Sequence, residues 1–429
     1  MADVKLVVSE NGGRARVAGG GSLQGELQMP GDKSVSHRAV MFAALAEGES
    51  RLTGLSNGED VAHTMGVVKA MGAKVRPGAL AGEFFVEGRA GKLAEPFGVA
   101  DVGNAGTGLR LFCGLWAGQD GLAVFVGDHS LGRRPIDRVA EPLRQMGAYI
   151  DGRGGRYTPV VVRGGKLRGI EYTLPVASAQ TKSAVLLAGL GADGATTVHE
   201  PVLCRQHTEE LLRVFGANIT MGDGKVTVER SSLRATDVHV PGDPSQAAFW
   251  ICAAAGLPGA QIRIPNLYLG PARDGFLEIL GRMDADIVRG KDSVEVRGRR
   301  LNGAEILPQD IPGLVDELPA LAIAAILAKG KTTVRGAEEL RIKESDRIAT
   351  ILAMAKAFGA STTEYQDGMD IEGVSSLTGG GTVDADGDHR IAMAAALLGS
   401  LAPGETVVTG WESVATSYPD FAAHLEMVA

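Results

Sequence analysis

Six times along this chain an Ala/Leu-rich helical run breaks at a glycine and gives way to a β-branched strand. The first is Ala43-Ala44-Leu45-Ala46-Glu47-Gly48 before Ser50-Arg51-Leu52. The others run through Gly114–Ala117, Leu186–Gly189, Cys252–Ala255, Ala324–Leu327 and Ala395–Leu398. Their turn glycines, at 48, 121, 194, 259, 330 and 404, are 73, 73, 65, 71 and 74 residues apart. A period of this length marks stacked supersecondary units, none of which buries its apolar face alone. A second helix follows most copies and closes on a glycine, as in Val67–Ala73, Pro142–Ala148, Leu211–Ala217 and the run from Ile351 to Ala360. Glycine after the last apolar turn is a C-cap signal. Each unit therefore holds two helices and several strands.

Pro30-Gly31-Asp32-Lys33-Ser34 reappears 211 residues later as Pro241-Gly242-Asp243-Pro244-Ser245, again before an apolar helix. The chain thus divides into halves of three units each. The expected domains are 1–30 plus 242–429, with the N-terminal strand segment included, and 31–241. A double crossover hinge near 30–33 and 241–243 would join them. Two globes joined in this way favour closure around a ligand.

Composition narrows the function. The 429 residues are 45% apolar, ample for two cores. A net charge of −8 and 5% aromatics disfavour a nucleic-acid partner. Cys113, Cys204 and Cys252 are scattered with no CxxC pair, against a disulfide framework or a structural zinc site. They read as small buried hydrophobes. The first residues lack the sustained apolar core of a secretory signal. The longest apolar runs, near Leu318–Leu327 and Ile391–Leu401, fall short of a membrane span and read as buried helices. The expectation is a cytoplasmic protein with no membrane partner.

Chemistry gathers where glycine turns open onto helices. In Gly31–Arg38, Ser34 can cap the helix while Lys33 and Arg38 bracket its start, a site for a phosphate or carboxylate. An ordinary capped helix with two solvated cations would leave the same trace. Asp101–Arg110 is a second glycine-rich turn, with Asn104 and Thr107 able to cap and Gly106 permitting close approach of a ligand. It is neither a Walker A loop nor a GxGxxG fingerprint. Pro135 suits a first helical position and puts Arg133 or Arg134 at a turn mouth. Ser178, Gln180 and Lys182 precede an apolar run and line a mouth able to bind a polyol. Asp316-Glu317 beside an apolar helix is either a helix-start acid pair or a general base raised by partial burial. Lys343 and Arg347, four apart on a helix, would share a face and hold an anion, with Glu344 beside them. A solvated salt-bridged face reads equally well there. Asp388-His389-Arg390 repeats the pattern in the last unit.

Taken together, Gly31-Asp32-Lys33-Ser34 with Ser36-His37-Arg38, Asn104-Ala105-Gly106-Thr107, Arg134-Pro135-Ile136, Ser178-Ala179-Gln180, Asp316-Glu317, Lys343–Arg347 and Asp388-His389-Arg390 resemble the 3-phosphoshikimate 1-carboxyvinyltransferase family of enolpyruvyl transferases. They follow the family order over nearly the whole chain. The resemblance implies an α/β fold, a two-globe inside-out α/β barrel of six βαβαββ units, three per domain. It implies a transferase of the shikimate pathway to chorismate and the aromatic amino acids. The enolpyruvyl group of phosphoenolpyruvate would pass to the 5-hydroxyl of 3-phosphoshikimate with release of phosphate. By the same resemblance 3-phosphoshikimate contacts Lys33, Ser34, Arg38, Ser178, Ala179, Gln180, Asp316 and Lys343. Phosphoenolpyruvate contacts Lys33, Gly106, Arg134, Gln180, Arg347 and Arg390. Asp316, Glu344 and Lys33 are the implied catalytic residues, with Asp316 as base and Glu344 as proton donor. No metal, no other cofactor and a monomeric chain are implied.

Thr416, in Ala415-Thr416-Ser417-Tyr418-Pro419-Asp420, stands where many family members carry Lys, so one expected cation is missing. The resemblance also implies sensitivity to glyphosate, which needs the space left by Gly106. Inhibition competitive with phosphoenolpyruvate would show it, and a millimolar inhibition constant would reject it. The nearest rival is UDP-N-acetylglucosamine 1-carboxyvinyltransferase, which carries a reactive Cys in a glycine-rich loop and Lys-Asn in place of Lys33-Ser34. Cys113 lies in an apolar helical run instead. An RNA 3′-phosphate cyclase would need a nucleotidylated His and a basic RNA face. A hinge-closing anion-binding protein would not need Asp316 and Glu344.

Overall fold

The computed structural model of the protein describes residues 5–429. Its helices come in pairs, two to each repeat: α1 (Lys33–Leu45), α2 (Glu59–Ala70), α3 (Gly106–Ala117), α4 (Asp137–Met146), α5 (Ala179–Gly189), α6 (His207–Val214), α7 (Pro244–Gly256), α8 (Gly275–Arg282), α9 (Leu318–Leu327), α10 (Arg347–Ala357), α11 (His389–Leu401) and α12 (Phe421–Val428). One repeat read in order gives Ala100–Asp101, α3, Gly121–Val126, α4, Tyr149–Arg153 and Tyr157–Gly164, a βαβαββ unit.

The odd-numbered helices form the interior. Every residue of α7 and α9 is buried, as expected of helices that are apolar on all sides. The sheets instead alternate: Arg14–Ala18 buries its second and fourth residues and exposes the others. One face of each such strand packs on helices and the other meets water. Helices inside and sheets outside make an inside-out α/β architecture.

Each of the six four-stranded sheets has the same topology. In one, Glu49–Thr53 runs parallel to Val238–His239 and antiparallel to Phe84–Glu87, which pairs antiparallel with Lys74–Pro77. The chain forms two compact units, a central one of Gly31–Val240 and a split one of the residues up to Pro30 with Pro241–Ala429. The second passage falls after Val240, one residue before the point set by the Pro-Gly echo. Each unit owns three sheets and its own apolar core. In the central unit the last strand, Val238–His239, closes onto the first repeat. In the split unit the hairpin Lys5–Val8 and Arg14–Ala18 completes the sheet of the last repeat by pairing with Glu405–Thr409.

All six turn glycines of the repeat have positive φ, from 80° at Gly330 to 108° at Gly121, where a side chain is strained. Five even-numbered helices end in one motif. In it the N–H of the residue just after a left-handed position bonds back into the last turn, as Ala217 N, following Gly216, to Leu212 O at 2.9 Å. In α8 the left-handed position is Asp284, at φ 66°, which hid this copy from a search for glycine. No helix among the described residues is long and apolar enough to cross a membrane.

Candidate active site

In the central unit the starts of α1, α3 and α5 are tied together by side chains. Asp32, not Ser34, caps α1: its Oδ1 accepts from Val35 N at 2.9 Å. Asp32 is the residue preceding the first helical one, where a short acceptor reaches an orphan N–H. Ser34 is the second helical residue, and its carbonyl accepts from Arg38 Nη1 at 2.9 Å. Arg38 is buried. Its Nε donates to Thr208 Oγ1 at 2.7 Å and its Nη2 to Ser183 Oγ at 2.8 Å, which joins α1 to α5 and α6. Lys33 Nζ stands 3.0 Å from Asp60 Oδ2 of α2. His37 Nδ1 lies 2.7 Å from Thr64 Oγ1. Burial, with the Lys33 and Arg38 cations beside it, pushes the His37 pKa well below the ordinary imidazole value.

Helix α3 begins at Gly106 after Ala105, with no side-chain cap, so neither Asn104 nor Thr107 caps it. Both are used laterally. Asn104 Oδ1 accepts from Arg134 Nη2 at 3.0 Å, and Thr107 Oγ1 accepts from Gln180 Nε2 at 3.0 Å. Arg134 also donates to Ser130 Oγ at 2.9 Å. Pro135 is not a first helical residue, since α4 starts at Asp137, and its carbonyl instead accepts from Arg110 Nη2 at 3.1 Å. Ser178 caps α5, with Oγ accepting from Thr181 N at 3.3 Å, and Ala179 opens the helix. Lys182 does not line a mouth. It is fully buried between Glu200, at 2.8 Å, and Glu209, at 2.5 Å. A charged amine one turn into a buried helix stays only when paired, and the spacing signal carried no hint of acids 18 and 27 residues away.

In the split unit the centre is Arg347, 1% exposed. Its Nε donates to Asp388 Oδ2 at 2.7 Å and its Nη2 to Glu344 Oε2 at 2.6 Å, while Nη1 lies 3.6 Å from Asp316 Oδ1. Burial alone would lower its pKa, but the Asp388, Glu344 and Asp316 carboxylates outweigh that and raise it. Arg390 Nη1 donates to Asp316 O at 2.7 Å. Asp388 caps α11 through Arg390 N, at 2.9 Å. Asp316, Glu344, Arg347 and Arg390 are therefore one cluster. Lys343 and Arg347 do not share a helix face. Asp346 caps α10, which starts at Arg347, and Lys343 follows a separate short turn, Glu338–Ile342, where it pairs with Glu339 at 2.9 Å. Thr416 Oγ1 donates to Ser413 O at 2.7 Å, and the adjacent Ser417 O accepts from Gln246 Nε2 of α7 at 2.7 Å.

Several contributors carried no signal of their own. Asp60, Thr64 and Thr208 sit in unremarkable helical runs. Burial raises the thiols, Cys113 to about 12 and Cys204 to about 11, so neither is an activated nucleophile.

Helix starts gathered three at a time, with buried arginines and paired acids among them, define a class: an inside-out α/β repeat protein equipped to hold small anions and move protons. The family model for EPSP synthase (3-phosphoshikimate 1-carboxyvinyltransferase) matches residues 17–425. The chain belongs to this family. A 3-phosphoshikimate 1-carboxyvinyltransferase of Anaeromyxobacter sp. (strain Fw109-5) is 47% identical over 418 residues, covering 95% of this chain and 96% of that protein. One from Alkaliphilus metalliredigens is 42% identical over 417 residues, covering 95% and 97%. An EPSP synthase structure from Acinetobacter baumannii superposes with a TM-score of 0.83 at 39% identity, covering 96% of this chain and 97% of that one. The enolpyruvyl transferase NikO from Streptomyces tendae shares the fold, with a TM-score of 0.78 at 21% identity over 96% of each chain.

Proposed function

We propose that this chain transfers the enolpyruvyl group of phosphoenolpyruvate to the 5-hydroxyl of 3-phosphoshikimate and releases phosphate. The observation that carries the reading is the cluster of Asp316, Glu344, Arg347 and Arg390, in which Arg347 faces both carboxylates and Arg390 donates to the Asp316 carbonyl. Family membership over nearly the full chain supports it.

The reaction asks for this set. The acceptor hydroxyl adds its oxygen to C2 of the enol while C3 takes a proton. The C2–O bond to phosphate then breaks and a methyl proton leaves, restoring the double bond. Asp316 takes the hydroxyl proton and Glu344 supplies the one for C3. Arg134, Arg347 and Arg390, with Lys33, hold phosphoenolpyruvate and the charge that grows on departing phosphate. Gly106 and Gln180 complete that set. Lys33, Ser34, Arg38, Ser178, Ala179, Gln180, Asp316 and Lys343 take 3-phosphoshikimate. Fixing two doubly anionic molecules together replaces a bimolecular encounter. A monomeric chain is part of this reading, since the proposed residues all belong to one chain.

The test is Asp316→Ala and Glu344→Ala. Calorimetric binding of 3-phosphoshikimate persists while kcat falls by about 10²–10⁴. Unchanged turnover in both variants removes the base and acid assignments, and substrate binding with no phosphate release even in the native chain favours an anion-binding protein without chemistry.

A further inference from the structure

Three arginines grip the segment that carries Asp316. Arg347 Nη1 reaches Val315 O at 3.4 Å, and Arg390 Nη1 donates to Asp316 O at 2.7 Å. The third grip is on Glu317, the next residue. Arg273 Nη1 lies 3.6 Å from Glu317 Oε1 and donates to Ser245 Oγ at 2.7 Å. Ser245 Oγ in turn donates to Glu317 Oε1. Arg273 Nη2 donates to Asp243 Oδ1 at 2.8 Å, and Asp243 caps α7. The assembly is sealed: Arg273 is 1% exposed, Ser245 2%, Asp243 4% and Glu317 0%.

Two carboxylates and one guanidinium in the interior are poor stabilisers. Well-packed apolar residues of similar volume serve a fold as well or better, because desolvation offsets most of the attraction. What a buried, hydrogen-bonded ionic group adds is a fixed geometry. Here that geometry bears on one point. Glu317 is the residue before α9 and follows Asp316 directly, so anchoring its side chain to α7 fixes the peptide from which Asp316 projects. A base must lie within hydrogen-bond reach of its proton, and a displacement of about 1 Å costs on the order of 10²-fold in rate. Arg347 and Arg390 are the proposed ligand arginines. Arg273 is outside that set, so its grip is independent of the ligand.

We propose that Arg273, acting through Ser245 and Glu317, is a positioning residue for the Asp316 carboxylate. This rests on the reading of Asp316 as the base. The test uses the full chain with Arg273→Met, Arg273→Lys, Glu317→Gln and Ser245→Ala. Initial rates give kcat and both KM values, and calorimetry gives 3-phosphoshikimate binding. In Arg273→Met and Glu317→Gln, kcat falls by about 10- to 100-fold. Both KM values and the binding constant stay within about threefold, a change of roughly 0.65 kcal/mol. Arg273→Lys recovers part of the lost kcat. In an Asp316→Asn background the same substitutions cause no further loss, because they act through the missing base.

Folded Arg273 and Glu317 variants with unchanged kcat overturn the proposal alone, provided that Asp316→Asn is inactive. So does a full additional loss in the Asp316→Asn background. If Asp316→Asn turns over normally, the base assignment falls and this proposal falls with it. Should Arg273→Met fail to fold, the milder Glu317→Gln and Ser245→Ala decide by the same measures.

Discussion

Gly106 opens α3, and a Cβ built there would lie 2.9 Å from Arg110 Nη1 and 3.3 Å from Arg134 Nη1. The Gly106→Ala change therefore displaces a proposed phosphoenolpyruvate cation without touching the α5 start. KM for phosphoenolpyruvate rises about tenfold, about 1.4 kcal/mol, while KM for 3-phosphoshikimate holds. Equal changes in both constants would contradict this. His37 gives a pH prediction. Unfolded, it titrates near about 6.5, whereas folded it resists the proton, so the unfolded chain binds the proton first as pH falls. The stability carried by neutral His37 is present above about pH 6.5 and is lost below it, at up to about 1.4 kcal/mol per unit. Denaturant midpoints measured from pH 7 to 5 fall in the native chain, and His37→Gln flattens the slope. His424, also lowered by burial, leaves a residual slope. An unchanged slope refutes the assignment. At this scale the sequence exposed the charged groups and hid their partners. Lys33, Arg134, Asp316, Arg347 and Arg390 stand beside glycine turns or helix starts, where an isolated charge attracts notice. Arg38 finds Thr208 170 residues away and Arg347 finds Asp388 41 residues away. Local spacing carries no trace of pairs that only the fold brings together.

The repeated elements rest on backbone geometry. Gly216 closes α6 at φ 83°, and a Cβ there would meet nothing within 4 Å. Gly216→Ala therefore reports backbone strain alone, a loss of about 1 kcal/mol in denaturant unfolding. A neutral effect would show that the left-handed cap contributes nothing. Repeat period and helix pairing were legible because glycine at these turns is required by φ. The α8 copy was not, because aspartate also tolerates that region. Helix starts were misread where two cap candidates adjoin. Asp32 takes the cap role expected of Ser34, and Asp346 caps a new helix, α10, inside a run whose charge spacing reads as one continuous helix. Such a run looks helical by charge spacing, yet Ser345-Asp346 is itself a helix-start signal.

Across the whole molecule, six copies of one unit supply six buried helices, and the proposed anion-binding and acid–base groups stand beside helix starts of both kinds, Lys33 at α1, Gly106 at α3, Glu344 and Arg347 at α10 and Arg390 at α11. The central unit contains Lys33, Arg38 and Arg134, and the split unit gathers Asp316, Glu344, Arg347 and Arg390. The three-per-unit count was legible from the Pro-Gly-Asp echo, because Asp32 and Asp243 cap corresponding helices. The most direct measurement is phosphate release from phosphoenolpyruvate by the purified chain without added metal. The account predicts release that depends on 3-phosphoshikimate and is lost in both Arg134→Ala, from one unit, and Arg390→Ala, from the other. Release without 3-phosphoshikimate, or none with both substrates present, would contradict it.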